Sequence, residues 1–363
     1  MSFFSLTIQN HNTINNLSFF SLASTVKLAD TICIEVAACV SNIMSAWFTL
    51  AVALAVALAV RTLVVDRLAG SFPVHRCTAA ADTPTGVPPC NKTILLTGCS
   101  SGLGRHAAFV LAENGYVVLA TVRKPTDADS LRNELAVRRR GHAGGAAAIR
   151  DVIPLTMDVT DDASVAAAAE TTRALLAERS LALAGVVNNA GVLVAKHVLD
   201  ATVEDYQWNF DVNVFGVVRV TRTFLPLVLK QTGAGGRLVN IGSVAGKIAG
   251  NEQPYSATKH ALEAMSDAWR RELQGKRVSV SLVEPGFVAS KMCADAKCET
   301  SGLDEVSGAI LHAVSAPYPK TRYPVASVIV MPSWVATWLV SVLPDRVIDM
   351  VLETVAHAVG EDY

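Results

Sequence analysis

Residues Thr93 to Arg105 read TILLTGCSSGLGR, and this stretch decides the fold. The short apolar run Thr93–Leu96 predicts a strand. It leads straight into a turn with Gly98, Gly102 and Gly104. After the turn, HAAFVLAENGY has the spacing of an amphipathic helix that begins near Arg105. Glycine is needed where the backbone turns tightly and lets a pyrophosphate approach the helix N-terminus, whose free N–H groups and dipole favour an anion. The turn residues Gly98, Ser100, Ser101, Gly102, Leu103 and Gly104 are therefore a candidate dinucleotide cradle.

Downstream, short β-branched runs alternate with Ala-rich helical stretches. Further strands are predicted at Tyr116–Val122, Val152–Met157, Gly185–Asn188, Arg237–Ile241 and Val278–Val283. That alternation implies an α/β fold, a doubly wound parallel sheet with helices on both faces. The basic stretch Arg138-Arg139-Arg140, followed by Gly-His-Ala-Gly-Gly, reads as a solvated loop before the third strand.

Upstream of the sheet the chain changes character. Residues 1–45 are Ser/Asn/Thr-rich and match neither a basic secretory n-region nor an Arg-rich transit peptide. Residues 46–65, AWFTLAVALAVALAVRTLVV, carry one charge, Arg61. At ~1.5 Å per residue such a helix just spans a ~30 Å hydrocarbon core, so the segment reads as a membrane anchor. The competing readings are a cleaved signal sequence and a buried core helix. The run sits far from the chain start and lacks an obvious small-residue cleavage site, which favours the anchor. Residues 66–90, ending TPTGVPP, read as a linker to a catalytic domain at 91–363. Lys/Arg outnumber their counterparts on the C-terminal side of the run (Arg61, Arg67 and Arg76 against Lys27), which puts the following domain in the cytosol by the positive-inside rule.

Charge and cysteine usage exclude other classes. Lys+Arg 31 against Asp+Glu 32 leaves a net charge of -1, which gives no reason to expect nucleic acid as a partner. The seven cysteines show no metal-ligand spacing and are too few to staple a 363-residue chain, so a reducing compartment is the simpler reading.

The spacing TGxxxGxG, together with NNAG at residues 188–191 and YSATK at residues 255–259, resembles the single-domain branch of the short-chain dehydrogenase/reductase family. The resemblance covers residues 91–344 and implies a Rossmann-type fold. It places Asp158 against the adenine, and Asn189, Ala190 and Gly191 beside the cofactor, with Asn188 in a structural or a contacting role. Pro285, Gly286, Val288 and Ser290 fall at the nicotinamide end, Ser290 standing where the family usually has threonine. In NAD-dependent relatives a carboxylate ~20 residues beyond the glycines binds the ribose 2'-hydroxyl. This chain has Arg123 there, whose fork of donors suits a 2'-phosphate, so NADP(H) is expected over NAD(H). The competing reading of Arg123 is an ordinary exposed arginine.

The resemblance also carries a catalytic set, Asn213, Ser243, Tyr255 and Lys259. Tyr255 and Lys259 lie one helical turn apart and so face the same way. Asn213 is expected at the start of a helix, and Ser243 at the end of the VNIGS strand. Moving a hydride between a carbinol carbon and nicotinamide leaves charge on the substrate oxygen, which must gain or lose a proton in step. The family's pattern gives that transfer to Tyr255, with Lys259 favouring the phenolate and holding the nicotinamide ribose. Ser243 would hold the substrate oxygen, and the Asn213 position would support a relay water.

Residues 291–303 fall where this family places its variable substrate-covering loop. Residues 331–344, MPSWVATWLVSVLP, read as a cleft cover, a membrane-interface segment or a core-facing helix. The motif TGCSSGLG, the ATVR run and the RYPV stretch at 322–325 look most like the 17β-hydroxysteroid and retinol dehydrogenase branch. The expected partners are thus a lipophilic small molecule, a membrane of the endoplasmic reticulum, and a second copy in a homodimer. A ketoacyl-thioester reductase and a noncatalytic NADP(H)-binding scaffold are the alternatives; the intact four-residue set disfavours the scaffold.

Overall fold

The segment Val117–Val122, VVLATV, is buried at every position, so the strand it forms must be covered on both faces. The computed structural model describes residues 91–141, 149–230, 235–250, 252–288, 302–328 and 331–359, with side chains for all but residues 331 and 355–359. The expected anchor, linker and N-terminal segment lie outside the described residues, as do Ser290 and most of the substrate-loop segment, whose last two residues open a helix.

The elements run β1 (Lys92–Leu96), α1 (Gly102–Glu113), β2 (Val117–Val122), α2 (Pro125–Gly141), β3 (Val152–Thr156), α3 (Asp162–Glu178) and β4 (Ala182–Asn188). A helical rod follows, made of α4 (Val203–Phe210), a π turn (Asp211–Phe215) and α5 (Gly216–Leu229). Then come β5 (Gly236–Ile241), a 3-10 turn (Val244–Gly246), α6 (Gln253–Leu273), β6 (Val278–Pro285), α7 (Gly302–Ser315) and β7 (Arg322–Val325). A short ribbon, β8 (Ser327–Val328) with β9 (Met331–Pro332), leads to α8 (Ser333–Val342) and α9 (Asp345–Val359).

The seven parallel strands are ordered β3-β2-β1-β4-β5-β6-β7. Alternate residues of each strand supply two cores. Ile94 and Leu96 face Phe109 and Leu111 of α1, Leu131 of α2 and Ile310 of α7. Leu95 faces Val165 of α3 together with Val220 and Phe224 of α5. Burying one such side chain contributes about 1.5–3 kcal/mol, and both faces are filled this way. The rod Val203–Leu229 is long and apolar enough to cross a membrane, but more than half of its most apolar window is buried and it packs on β4 and β5 as a core helix.

Two expectations need correction, and one strand was not expected. Arg138 to Arg140 are the last turn of α2, not a loop, and the charges of Arg138 and Arg139 are partnered there. Arg138 pairs with Glu134 (2.9 Å) and Glu113 (3.1 Å) and lies over the Phe109 ring, while Arg139 pairs with Asp151 (2.7 Å). Cations at a helix C-terminus also suit its dipole. Asn213 lies inside the π turn in mid-rod, not at a helix start. The RYPV stretch is a seventh strand at the sheet edge, where Pro324 leaves no ladder donor missing.

Candidate active site

The order of the strands reverses between β1 and β4, and in open parallel sheets ligands bind outside the carboxyl ends of strands at such a point. Gly98, Asn189 and Ser243 all follow those ends, after β1, β4 and β5 respectively, and Pro285 and Gly286 close and follow β6.

Thr97 organises the turn after β1. Its hydroxyl accepts from the N–H groups of Asn189 and Ala190 (both 2.9 Å), and Asn189 Nδ2 donates to the Thr97 carbonyl (2.8 Å). Gly98 adopts φ +74° and Gly102 φ +55°, the left-handed region that favours glycine. A Cβ on Gly104 would stand 2.3 Å from the Gly98 carbonyl oxygen and 2.4 Å from Asn189 Nδ2. Ser101 caps α1 without a side-chain hydrogen bond, which leaves that helix's first N–H groups without a side-chain acceptor. Leu103 packs against the core from the same turn, Ser100 accepts from Arg105, and Cys99 is a buried thiol that burial pushes up, so it is inert.

At the ends of β2 and β3, Arg123 is exposed and Asp158 partly buried. Asp158 accepts from the Thr160 N–H and hydroxyl. Burial works against its ionised form, but those bonds and the field of Arg123 hold the carboxyl below its ordinary value. Asn188 has a structural place: Nδ2 donates to Thr221 Oγ1 (3.0 Å) and Asn240 Oδ1 (2.9 Å), and Asn240 donates to Ser266 (2.9 Å). This buried seam ties β4 and β5 to α5 and α6.

The four catalytic candidates come together. Tyr255 and Lys259 occupy the first two turns of α6, with Pro254 in its first turn, where the missing N–H costs nothing. Ser243 follows β5 as the N-cap of the 3-10 turn, accepting from Ala245 N–H (3.1 Å), and stands beside Tyr255. Burial pushes the Tyr255 phenol up to about 12, with Ser243 opposing the rise and Glu252 adding to it. Lys259 Nζ donates to the Ile241 carbonyl (2.8 Å) and lies 5.3 Å from the centre of the Tyr255 ring. Burial lowers its ammonium to about 8. Asn213, 1% exposed, accepts from Val192 N–H and donates to the Val192 carbonyl and Thr258 Oγ1, so it ties the chain after Gly191 to α6. Val288 packs on the α1 side of the core, and Gly286 sits where a Cβ would meet the Ser327 carbonyl at 2.2 Å.

Sequence reading missed Thr97 and Thr258, although each lies inside a quoted motif and is buried with a hydroxyl that needs a partner. It also missed a buried charged cluster behind the site. The signal there was Glu284, a lone charge ending the strand run VSVSLVEP.

A family model described as short chain dehydrogenase matches residues 92–300. The 17-beta-hydroxysteroid dehydrogenase type 6 of Bos taurus is 38% identical over 203 residues, 56% of this chain and 58% of that protein, so the match spans less than two thirds of that relative's length. Retinol dehydrogenase 5 of Mus musculus is 33% identical over 308 residues, 73% of this chain and 89% of that protein. The crystal structure of a gluconate 5-dehydrogenase from Burkholderia cenocepacia J2315, in complex with NADP and tartrate, is similar in fold, with a TM-score of 0.55 at 22% identity over 64% of this chain and 92% of that one. By the extent of these matches and the site they enclose, the chain belongs to the short-chain dehydrogenase family.

Proposed function

We propose that the protein is an NADP(H)-dependent oxidoreductase that interconverts hydroxyl and keto groups of a lipophilic substrate, with Tyr255 as acid/base. The observation that carries this reading is the gathering of Ser243, Tyr255 and Lys259 at the carboxyl end of β5, with Lys259 Nζ 5.3 Å from the centre of the Tyr255 ring. The residues suit a nicotinamide dinucleotide: a turn with no room for a Cβ at Gly104, a helix N-terminus without a side-chain cap, and an exposed arginine at the ribose end. When bound, that group supplies the hydride acceptor or donor.

The chain's own residues handle the oxygen and its proton. Ser243 holds the substrate oxygen within reach of the phenol. Tyr255 gives it a proton in reduction and takes one in oxidation. Burial alone disfavours the phenolate, so the positive charge of Lys259 and of the oxidised ring is needed to lower the barrier to proton loss. The π turn at Asp211–Phe215 loosens the helical ladder beside Asn213, at the position suited to a relay water behind Lys259.

A lipophilic substrate is supported by the steroid and retinol named in the two relatives. Beside the site an open cleft of about 660 Å³ is lined by His197, Val198, Leu199, Asp200, Ala249, Gly250 and Gln253, the last of them two residues from Tyr255. The apolar run at residues 46–65 and the lysine/arginine bias around it support an anchor in the endoplasmic reticulum with a cytosolic catalytic domain. The test is a screen of the full-length protein with NADPH and NADP against steroid, retinoid and ketoacyl substrates. Turnover of a steroid or retinoid is expected; turnover of ketoacyl thioesters alone, or none with any class, overturns the reading.

A further inference from the structure

Behind the site lies a cluster of charges that the proposed chemistry does not use. Glu263 stands one turn after Lys259 on α6, and its side chain is 8% exposed. Glu284, at 3%, immediately precedes Pro285 and Gly286. Arg322 of β7 contacts both, Glu263 at close range and Glu284 at 3.0 Å, and reaches Asp267 of α6 at 3.2 Å. Lys247, in the turn that follows Ser243, pairs with Glu263 at 2.8 Å. The cluster therefore joins the Ser243 turn, the helix of Tyr255 and Lys259, and the strand leading to Pro285–Gly286.

Two buried carboxylates side by side repel unless a proton lies between them. Lys247 and Arg322 both bond Glu263 Oε2, while the buried Oε1 has no donor among the described residues. Glu284 shares the Arg322 nitrogen that bonds Glu263, so a proton on Glu284 would remove the repulsion between the two carboxyls. Gly246 packs against this corner, where a Cβ would lie 3.0 Å from the Lys259 carbonyl and 3.2 Å from Glu263 Oε1, so the Ser243 turn lies close against the cluster.

We propose that Glu263 and Glu284 share one proton and, bridged by Arg322, act as positioning residues that hold the Pro285–Gly286 turn in register with the helix bearing Tyr255 and Lys259. The inference rests on the dehydrogenase reading for the meaning of those segments. The charges agree with it. Burial first, then the neighbouring Glu263, push Glu284 up to about 8 against the pull of Arg322 and Lys247. Asp267 is held low instead: burial opposes its charge, but Arg322, Arg270 and Arg271 outweigh it.

These shifts set the sign of the pH effect. A carboxyl raised in the folded state stabilises fully below its ordinary value near ~4.3, and that contribution is lost as pH climbs through about 8. Lys259, lowered by burial, acts with the opposite sign only above about 8, and cancels when variants are compared at one pH.

The test measures the melting temperature and NADPH affinity of the full-length protein from about pH 5 to about pH 9, for wild type, E284Q and E263Q. The side-chain amide that E284Q introduces is neutral at every pH, accepts from Arg322 and can donate to the Glu263 carboxylate, so it mimics the protonated acid. Relative to E284Q, the wild type should lose several degrees of melting temperature and about threefold or more in NADPH affinity between about pH 5 and about pH 8, then level off. E263Q, which unpairs Lys247 and Arg322, should be weaker in both readouts at every pH. A pH-independent difference between wild type and E284Q, failure of E284Q to fold, or identical behaviour of E263Q and E284Q overturns the proposal. Neither readout needs substrate or turnover, so failure here is separate from failure of the Tyr255 assignment.

Discussion

The turn after β1 and the helix α8 are built on opposite terms. In the turn, Thr97 and Cys99 are 1% and 0% exposed, the Thr97 hydroxyl accepts two N–H groups, and Gly104 has no room for one methyl group. In α8 only Ser333 and Ala336 are buried, while Trp334 and Trp338 are 59% and 58% exposed. A cofactor common to many enzymes needs one backbone geometry, so packing specifies it from every side. The end of the fold beyond β7 is held by few contacts, leaving its outer face free to suit what this chain alone must meet. Of the three readings of residues 331–344, a core-facing helix describes only the Ser333 and Ala336 side.

Substitutions on the two sides probe that contrast. The largest effect is expected from Gly104→Ala, whose added carbon collides with Gly98 and Asn189. It should lower stability by about 2–3 kcal/mol, roughly 5–10 °C in Tm, and abolish the stabilisation given by NADPH, read by thermal melts with and without nucleotide. An NADPH-induced shift equal to the wild type's would show that the turn is not the cradle.

Arg123→Asp comes next. It removes the exposed guanidinium and supplies an acceptor for a 2'-hydroxyl, so the ratio of kcat/KM for NADP(H) over NAD(H) should fall about tenfold or more. An unchanged ratio would leave Arg123 an ordinary surface arginine. The smallest effect is expected from replacing Trp334 and Trp338 together by serine, within about 0.5 kcal/mol per site in urea melts, because neither ring is in the core. A loss of about 3 kcal/mol or more would mean that α8 is part of the packed fold after all.

What was legible in the sequence follows the same division. The run TILLTGCSSGLGR and the strand ends at Asn188 and Ser243 were readable because buried parallel strands are continuous apolar runs, and the turns after them must carry particular residues. Strand bounds shifted by only a few residues, as at β4, which starts at Ala182 because Leu183 also faces the core. β7 was missed as a strand because four residues with a central proline give no period, and only the register with β6 reveals them. The Arg138–Arg140 run was misread because its partners, Glu113 and Asp151, lie far along the chain and meet it only in the fold. Asn213 was placed at a helix start because the π turn that interrupts the rod leaves no compositional mark. The Glu263–Glu284–Arg322 cluster was invisible for the same reason as the partners of the arginine run, since three elements had to assemble before the charges met.

The central claim is that Tyr255 moves the proton while the rest of the site binds the nucleotide. It is tested most directly by measuring kcat and the NADPH dissociation constant of Tyr255→Phe on whichever lipophilic substrate the screen identifies. The phenyl ring keeps the packing on α6 but has no proton to transfer, so kcat should fall about 10³-fold while the dissociation constant stays within about threefold of wild type. Turnover within about tenfold of wild type would contradict the account.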